Sequence, residues 1–360
     1  MGNVCYMAVT LVDLAREANV NVSTVSRALN GRAGVRREIR ERVLEAAGRL
    51  NYRPNLVARG LVTGKSNAIG LFVSDIRNPF FAEIARGAED AAYRANHDVV
   101  LCNSDLDPVK QMRYFFSLLD KRVGGIVMNS VAPLSRGERK QIASSNTLVV
   151  LLSNAPREHS FSSVTCDNER GGYLAGAHLA GLGHTVVAHL TGAVHHANLE
   201  ERWRGFVKAM QRVAPGRKPV LLGGAHNSQG GFEMAQRLLK KHPEVTAIFA
   251  ANDAIAFGAA RALHAAGVRI PDDISLIGFD DTEQASIMHP PLTTISQPMY
   301  EIGKAGVEIL IGQINRNDCV PEHRRFDVRL VERESCRELP AASGAKCLSG
   351  ERVSPAEVSA

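Results

Sequence analysis

From residue 66 onward the chain repeats one pattern: a short run of Val, Ile and Leu, a segment of helical periodicity, then another apolar run. "AIGLFVSDI", "DVVLCNS", "GGIVMNS" and "TLVVLLSN" come first, and "VTCDN", "VVAHLTG", "PVLLGGA", "AIFAAND" and "ISLIGFDD" continue the series. Nearly continuous aliphatic strands are buried on both faces, and strands that alternate with helices assemble in parallel. The pattern therefore predicts an α/β fold of doubly wound type. About ten strands are too many for one compact sheet of this kind, so two lobes are expected.

Ligands of such sheets sit outside the carboxyl ends of the strands. The polar residues there are Ser74 and Asp75, Asn103 and Ser104, Ser153 and Asn154, Thr191, Asn252 and Asp253, and Asp280 and Asp281. Taken singly, each reads more simply as a helix cap or a strand-end turn. Together with Arg and aromatic neighbours they supply the chemistry that binds polyols and sugars, in which carboxylates accept from vicinal hydroxyls and Arg donates.

The first 65 residues are of another kind. The chain has 360 residues and a formal charge of +6. Residues 1–65 hold eleven Lys/Arg against five Asp/Glu, whereas the rest holds thirty-two of each. All the excess positive charge therefore lies in the small N-terminal part, which points to a polyanionic partner for that part alone. In "TLVDLAREANVNVSTVSRALN", Leu11, Leu14, Ala15 and Ala18 recur at helical spacing behind a Thr10 cap. Asn21 then caps a second helix with Val25, Ala28 and Leu29 on one face and Val22, Ser23, Ser26 and Arg27 on the other. A third helix in "VRREIRERVLEAAGRLN" carries the stripe Ile39, Val43, Ala46 and Leu50, and Pro54 is expected to stop it. Three short helices with a small polar face near the second one's N-terminus predict a helix-turn-helix domain that reads base edges in the major groove. A solvated helical hairpin is the plainer alternative, which the charge asymmetry argues against.

Next comes "NYRPNLVARGLVTGKS", whose Leu56, Val57, Ala58 and Leu61 are apolar within a helix too short to be stable unless docked. Docked as a pair in a minor groove, Leu61 could wedge between base steps. Here the chain resembles a known family. "TLVDLAREANVNVSTVSRALNG", "LNYRPNLVARGL", "NPFFAEI", "DNERGG", "FDD" and "PPLTTISQP" are similar, in order and spacing, to the LacI/GalR family of transcriptional regulators over about residues 10–333.

The resemblance implies a DNA-binding head at 8–54 and a hinge helix at 55–65. It further implies a core like that of periplasmic sugar-binding proteins, with an N-terminal lobe (66–166 and 298–325), a C-terminal lobe (167–297 and 326–337) and a tail at 338–360 expected to be disordered. The last strand, "FDVRLVER", is expected to return to the second lobe. By the same resemblance Val22, Ser23 and Arg27 read bases, Thr10, Asn21, Ser26 and Asn30 hold phosphates, and Asn55, Ala58 and Leu61 belong to the hinge helix. Asn21 stands where the family has Ser, and Val35-Arg36-Arg37-Glu38-Ile39-Arg40 lacks two of the family's hydroxyl donors, so Arg36 or Arg37 is expected to hold that phosphate. For the effector, Arg202 of "RWRGF" and Asp280 of "GFDD" match best, then Asn252, with Phe80 and Phe81 as an apolar wall. His226 stands where relatives often carry a stacking aromatic, and Ser153 where many have Asp. The effector implied is a sugar, sugar acid or polyol. A homodimer, or a tetramer as a pair of dimers, on a near-palindromic operator is implied too, and the absence from the tail of the family's Leu heptads favours the dimer. Repression is the family's usual outcome.

Other classes find little support. The six cysteines are scattered with no C-x-x-C pair, which fits a reducing cytoplasm and no zinc module. No signal-peptide pattern and no apolar run of spanning length occurs, so a cytoplasmic protein with no membrane partner is expected. No P-loop, no G-x-G-x-x-G after the first core strand and no G-x-S-x-G is present, and His195-His196 reads as a solvent-exposed loop tip. No cofactor, no metal and no enzymatic activity are expected. The alternative is a solute-binding protein or an enzyme on the same doubly wound fold, which would need no basic head.

Overall fold

The computed structural model describes residues 9–29, 33–52, 66–130, 134–145, 147–152, 161–192, 197–316 and 320–339. Asn30, Asn55, Ala58, Leu61, Ser153, the His195-His196 pair and nearly all of the expected disordered tail lie outside them. The chain divides into two compact units, residues 1–66 and 67–360.

The first unit is a three-helix cluster of α1 (Leu11–Glu17), α2 (Val22–Leu29) and α3 (Arg37–Arg49). Thr10 starts α1 through a reciprocal cap: its hydroxyl accepts from the Asp13 N–H at 3.3 Å, and the Asp13 carboxylate accepts from the Thr10 N–H at 2.9 Å. Asn19, at φ 50°, takes the left-handed turn that ends this helix. The Asn21 carbonyl accepts from Thr24 and Val25, which sets the first turn of α2. Leu14, Ala15, Ala18, Val25, Ala28, Val43 and Ala46 form the core, with Leu29 and Leu50 packed at its edge. The third helix stops earlier than expected. It is capped at Leu50 and turned by Asn51 at φ 48°, so the left-handed Asn, not Pro54, ends it.

The second unit alternates strand and helix as expected. β1 (Ala68–Val73), α4 (Pro79–Arg94), β2 (Asp98–Asn103), α5 (Pro108–Asp120), β3 (Gly125–Met128), α6 (Arg136–Ser144), β4 (Leu148–Leu151) and β5 (Ser162–Cys166) build the first lobe. α7 (Asn168–Gly181), β6 (Val187–Thr191), α8 (Ala197–Val213), β7 (Val220–Gly223), α9 (Ser228–Lys241), β8 (Ala247–Ala250), α10 (Asp253–Ala265), β9 (Ser275–Asp280), α11 (Glu283–Ile287) and β10 (Thr293–Ser296) build the second. α12 (Met299–Arg316) and β11 (His323–Phe326) return to the first lobe, and β12 (Arg329–Val331) closes the second.

The sheets run β2-β1-β3-β4-β5-β11 and β7-β6-β8-β9-β10-β12. Every pair is parallel except β10 with β12. The expected last strand, "FDVRLVER", returns to the second lobe as β12, with Leu330 beside Ile295, and a strand that was not expected, β11, precedes it in the first sheet, with Phe326 beside Cys166. A chain that crosses between lobes has to leave one sheet before it can join the other. Leu339, assigned above to the expected tail, donates its N–H to the Leu182 carbonyl at 2.8 Å.

Apolar clusters cover both faces of each sheet. The helices begin on polar caps at the strand ends: Asn78, Asp107, Ser135, Asp167, Asn227 and Asn252 each accept a backbone N–H of the first turn. Pro79 and Pro108 follow their caps, where a missing N–H costs nothing. One sequence device therefore both starts the helices and brings polar side chains to the carboxyl ends of the strands.

Candidate effector cavity and DNA-reading helix

A cavity of about 680 Å³ is lined by both lobes of the second unit. Of the residues singled out in the sequence, Phe80, Phe81, Arg202, His226, Asn252 and Asp280 line it, together with Ser74. Five other strand-end candidates in the described residues have structural tasks. Asp75 holds Arg77. Asn103 bonds the Ile76 N–H and Asp105, and the Ser104 hydroxyl returns to the Val73 carbonyl. Asp281 pairs with Arg333. Asp253 is fully buried and accepts from the Thr282 N–H, the Thr282 hydroxyl and the Thr294 hydroxyl. Burial pushes its carboxyl up to about 6, against the pull of those bonds.

Arg202, on α8, is held as a rigid plane. Its Nε donates to Asn168 Oδ1 at 2.9 Å, its Nη1 donates to the Ala251 carbonyl at 2.5 Å, and the guanidinium lies 3.5 Å over the Phe279 ring. Burial holds its pKa below the usual arginine value. Asp280 ends β9 with φ 125°, a conformation that a residue with a side chain rarely adopts. Its Oδ1 accepts from Gln297 Nε2 at 2.6 Å. Burial pushes its carboxyl well above the ordinary range, and Arg202 works against that shift.

Asn252 has two roles. Its Oδ1 accepts from the Ile255 N–H at 2.7 Å, capping α10, and this turns its Nδ2 toward His226 Nε2 at 3.0 Å. The donor amide makes Nε2 the acceptor, which assigns the ring proton to Nδ1. On the opposite wall Ser74 donates to Asn129 Oδ1 at 2.6 Å, and Phe80 meets Phe81 edge to face at 4.9 Å.

Some lining residues were not legible in advance. Gln297, inside the quoted "PPLTTISQP", joins Asp280 to the Cys166 thiol, which donates to Gln297 Oε1 at 3.1 Å. Burial pushes that thiol up to about 11, so it stays protonated. Asn168 holds Arg202, and "DNERGG" concealed a packing requirement. A Cβ on Gly172 would sit 1.9 Å from the Arg202 carbonyl oxygen, and one on Gly205 would sit 1.8 Å from that of Glu169. Only glycines let α7 and α8 approach so closely. Among the described residues no cluster of three His, Cys, Asp or Glu is placed to hold a metal ion.

In the first unit α2 buries Val25 and Ala28 and turns Asn21, Val22, Ser23 and Arg27 outward, with Ser26 half-buried. Arg36 occupies the cap position of α3 without making a side-chain cap bond, and Arg37 pairs with Glu41. Thr10 spends its hydroxyl on the Asp13 cap. The exposed face is small, polar and cationic, as a major-groove surface requires. No helix among the described residues is long and apolar enough to cross a membrane.

A helix-turn-helix head joined to a two-lobed ligand-binding core defines a ligand-controlled DNA-binding regulator. Residues 10–55 match the family described as bacterial regulatory proteins, lacI family, and residues 177–336 match a periplasmic binding protein-like domain. The ribose operon repressor of Halalkalibacterium halodurans is 35% identical over 331 residues, covering 91% of this chain and 97% of that protein. The lac repressor dimer bound to operator and the anti-inducer ONPF is 30% identical with a TM-score of 0.81, covering 92% of this chain and 100% of that one. A LacI family regulator from Enterococcus faecium with bound ribose is 33% identical with a TM-score of 0.69, covering 76% of this chain and 100% of that one. The chain belongs to the LacI family of bacterial transcriptional regulators, and its relatives are named as regulators, not enzymes.

Proposed function

We propose that this chain is a repressor that binds a near-palindromic operator as a homodimer and releases or tightens its grip when a small hydroxylated effector enters the core cavity. In this reading it acts in the cytoplasm and catalyses no reaction. The head comprises 8–54 and the hinge 55–65. The observation that carries the reading is the outward polar face of α2 in the same chain as a cavity shared by two lobes.

Val22, Ser23 and Arg27 read bases, and Thr10, Asn21, Ser26, Asn30 and Arg36 position the head on phosphates. Thr10 contributes through its N-terminal cap more than through a free hydroxyl. Asn55, Ala58 and Leu61 form the hinge element, with Leu61 as the minor-groove wedge. In the core, Asp280 accepts effector hydroxyls and Arg202 donates to them. Asn252, His226 and Ser153 complete the polar shell, and Phe80 and Phe81 supply its apolar wall. Because the chain crosses between the lobes three times, a ligand held by both walls fixes their relative angle. Two first lobes paired across a dimer axis carry that change to the hinge elements.

Selection of bound fragments from random duplex DNA, followed by titration with fluorescent operator, tests the reading. It expects an inverted-repeat site and a nanomolar, sequence-dependent affinity. Binding with no preference among sequences would reject it.

A further inference from the structure

The cavity lining is asymmetric in charge. Among the described residues, the first lobe contributes Arg139, Arg324, Arg325 and His323 and no carboxylate. All the lining carboxylates, Glu200, Glu201 and Asp280, come from the second lobe, where Arg202 and Arg204 accompany them. One of the three, Asp280, is held toward its neutral form by burial.

The partners of Arg324 and Arg325 do not neutralise the cavity firmly. Arg325 meets Asp167 at 2.7 Å and Arg324 meets Glu308 at 3.1 Å, but their side chains are 57% and 44% exposed. Pairs so open to water contribute little and are readily exchanged for another anion. Deeper in, Arg202 is 6% exposed and its hydrogen bonds go to neutral oxygens, on Asn168 and Ala251, while its main electrostatic partner is Asp280, itself pushed toward its neutral form. A cation taken out of water needs a counter-charge. A neutral polyol would answer the donors and acceptors around Asp280 and Asn252 but leave the opposite wall's positive field unused.

Building on the reading of this cavity as the effector site, we infer that the effector is a polyhydroxylated anion. Its hydroxyls lie against Asp280, Arg202 and Asn252, and its oxyanion lies against Arg324 and Arg325. A carboxylate and a phosphate ester share that chemistry, since a guanidinium fork fits either.

Calorimetric titration of the full chain with matched pairs tests the inference: D-gluconate against D-glucitol, D-ribonate against ribitol, and D-glucose 6-phosphate against D-glucose. The anion of at least one pair is expected to bind ten-fold or more tightly than its neutral counterpart, with affinity falling as salt rises. A preference confined to the carboxylate pairs identifies a sugar acid; one confined to the phosphate pair identifies a sugar phosphate. Arg324→Gln and Arg325→Gln should each weaken the anion several-fold and reduce its salt dependence. Melting of the unliganded variants checks that they fold, and the second variant serves if the first does not.

Equal or tighter binding of the neutral members overturns the inference while leaving a sugar-responsive regulator intact. Binding of no anion in any pair overturns it as well. Failure of the chain to recognise any operator, with or without an anion bound, would instead strike the proposed function.

Discussion

At the scale of the residue, the buried acids divide between function and framework. Asp280 stands in a backbone conformation that costs on the order of 1–3 kcal/mol and is retained where a site requires it. Asp280→Asn keeps the shape and an oxygen for Gln297 but turns the other carboxyl oxygen into an amide donor, and a buried polar group left without its partner costs about 1–3 kcal/mol. Effector affinity should therefore drop ten-fold or more while the core melts no lower at neutral pH; an unchanged affinity in calorimetric titration would mean that Asp280 does not touch the ligand. Asp253 differs, since its three bonds are all internal. Its carboxyl rises from the ordinary 3.8 to about 6 on folding, so the folded chain binds the proton more tightly than the unfolded chain. That contribution to stability is complete below about pH 3.8 and is lost as the pH rises through about 6. Asp253→Asn should flatten the pH dependence of the melting temperature across that window, and an unaltered slope would reject the assignment. The sequence showed Asp253 and Asp280 alike as acids at strand ends. What separates them is the company each keeps after folding: Thr282 and Thr294 around one, and the cavity, Gln297 and Arg202 around the other.

At the scale of the element, the helix-packing glycines link fold to site. α7 and α8 meet at Gly172 and Gly205, and the Arg202 backbone lies against the first of these. In Gly172→Ala the added methyl has no room, because the atom in its way is a backbone oxygen and not a flexible side chain. The helices must separate, which should lower the melting temperature of the core and weaken the effector, since Arg202 moves with its helix; wild-type values for both would show that the contact gives way freely. Periodicity revealed these helices and their caps, from Asn78 to Asn252, because caps and apolar spacing are local properties. It misplaced the end of α3, where Asn51 turns the chain ahead of Pro54, and it missed the short strand β11. Both misses arise where backbone direction changes without a strong local signal.

At the scale of the whole molecule, the uneven charge makes a kinetic and thermodynamic prediction. With eleven basic and five acidic residues before residue 66 and an even balance beyond, operator affinity should fall steeply with salt, linearly in log–log form. Effector affinity measured on the same protein has a separate salt response set by the cavity arginines. A flat operator response would mean that the basic head is not the polyanion-binding part. The sequence by itself determined the α/β class, the helix-turn-helix head, the family and most of the polar residues around the cavity, because these follow from periodicity, capping and charge along the chain. Only the tertiary structure decided which strand-end residues face the ligand, that Gln297 and Asn168 support Asp280 and Arg202, and that the first-lobe wall is positive. Those depend on residues far apart in sequence: Gln297 lies 17 positions from Asp280, and Asn168 lies 34 from Arg202. The three passages between the lobes bring them together, and no local pattern encodes where such a passage places a side chain.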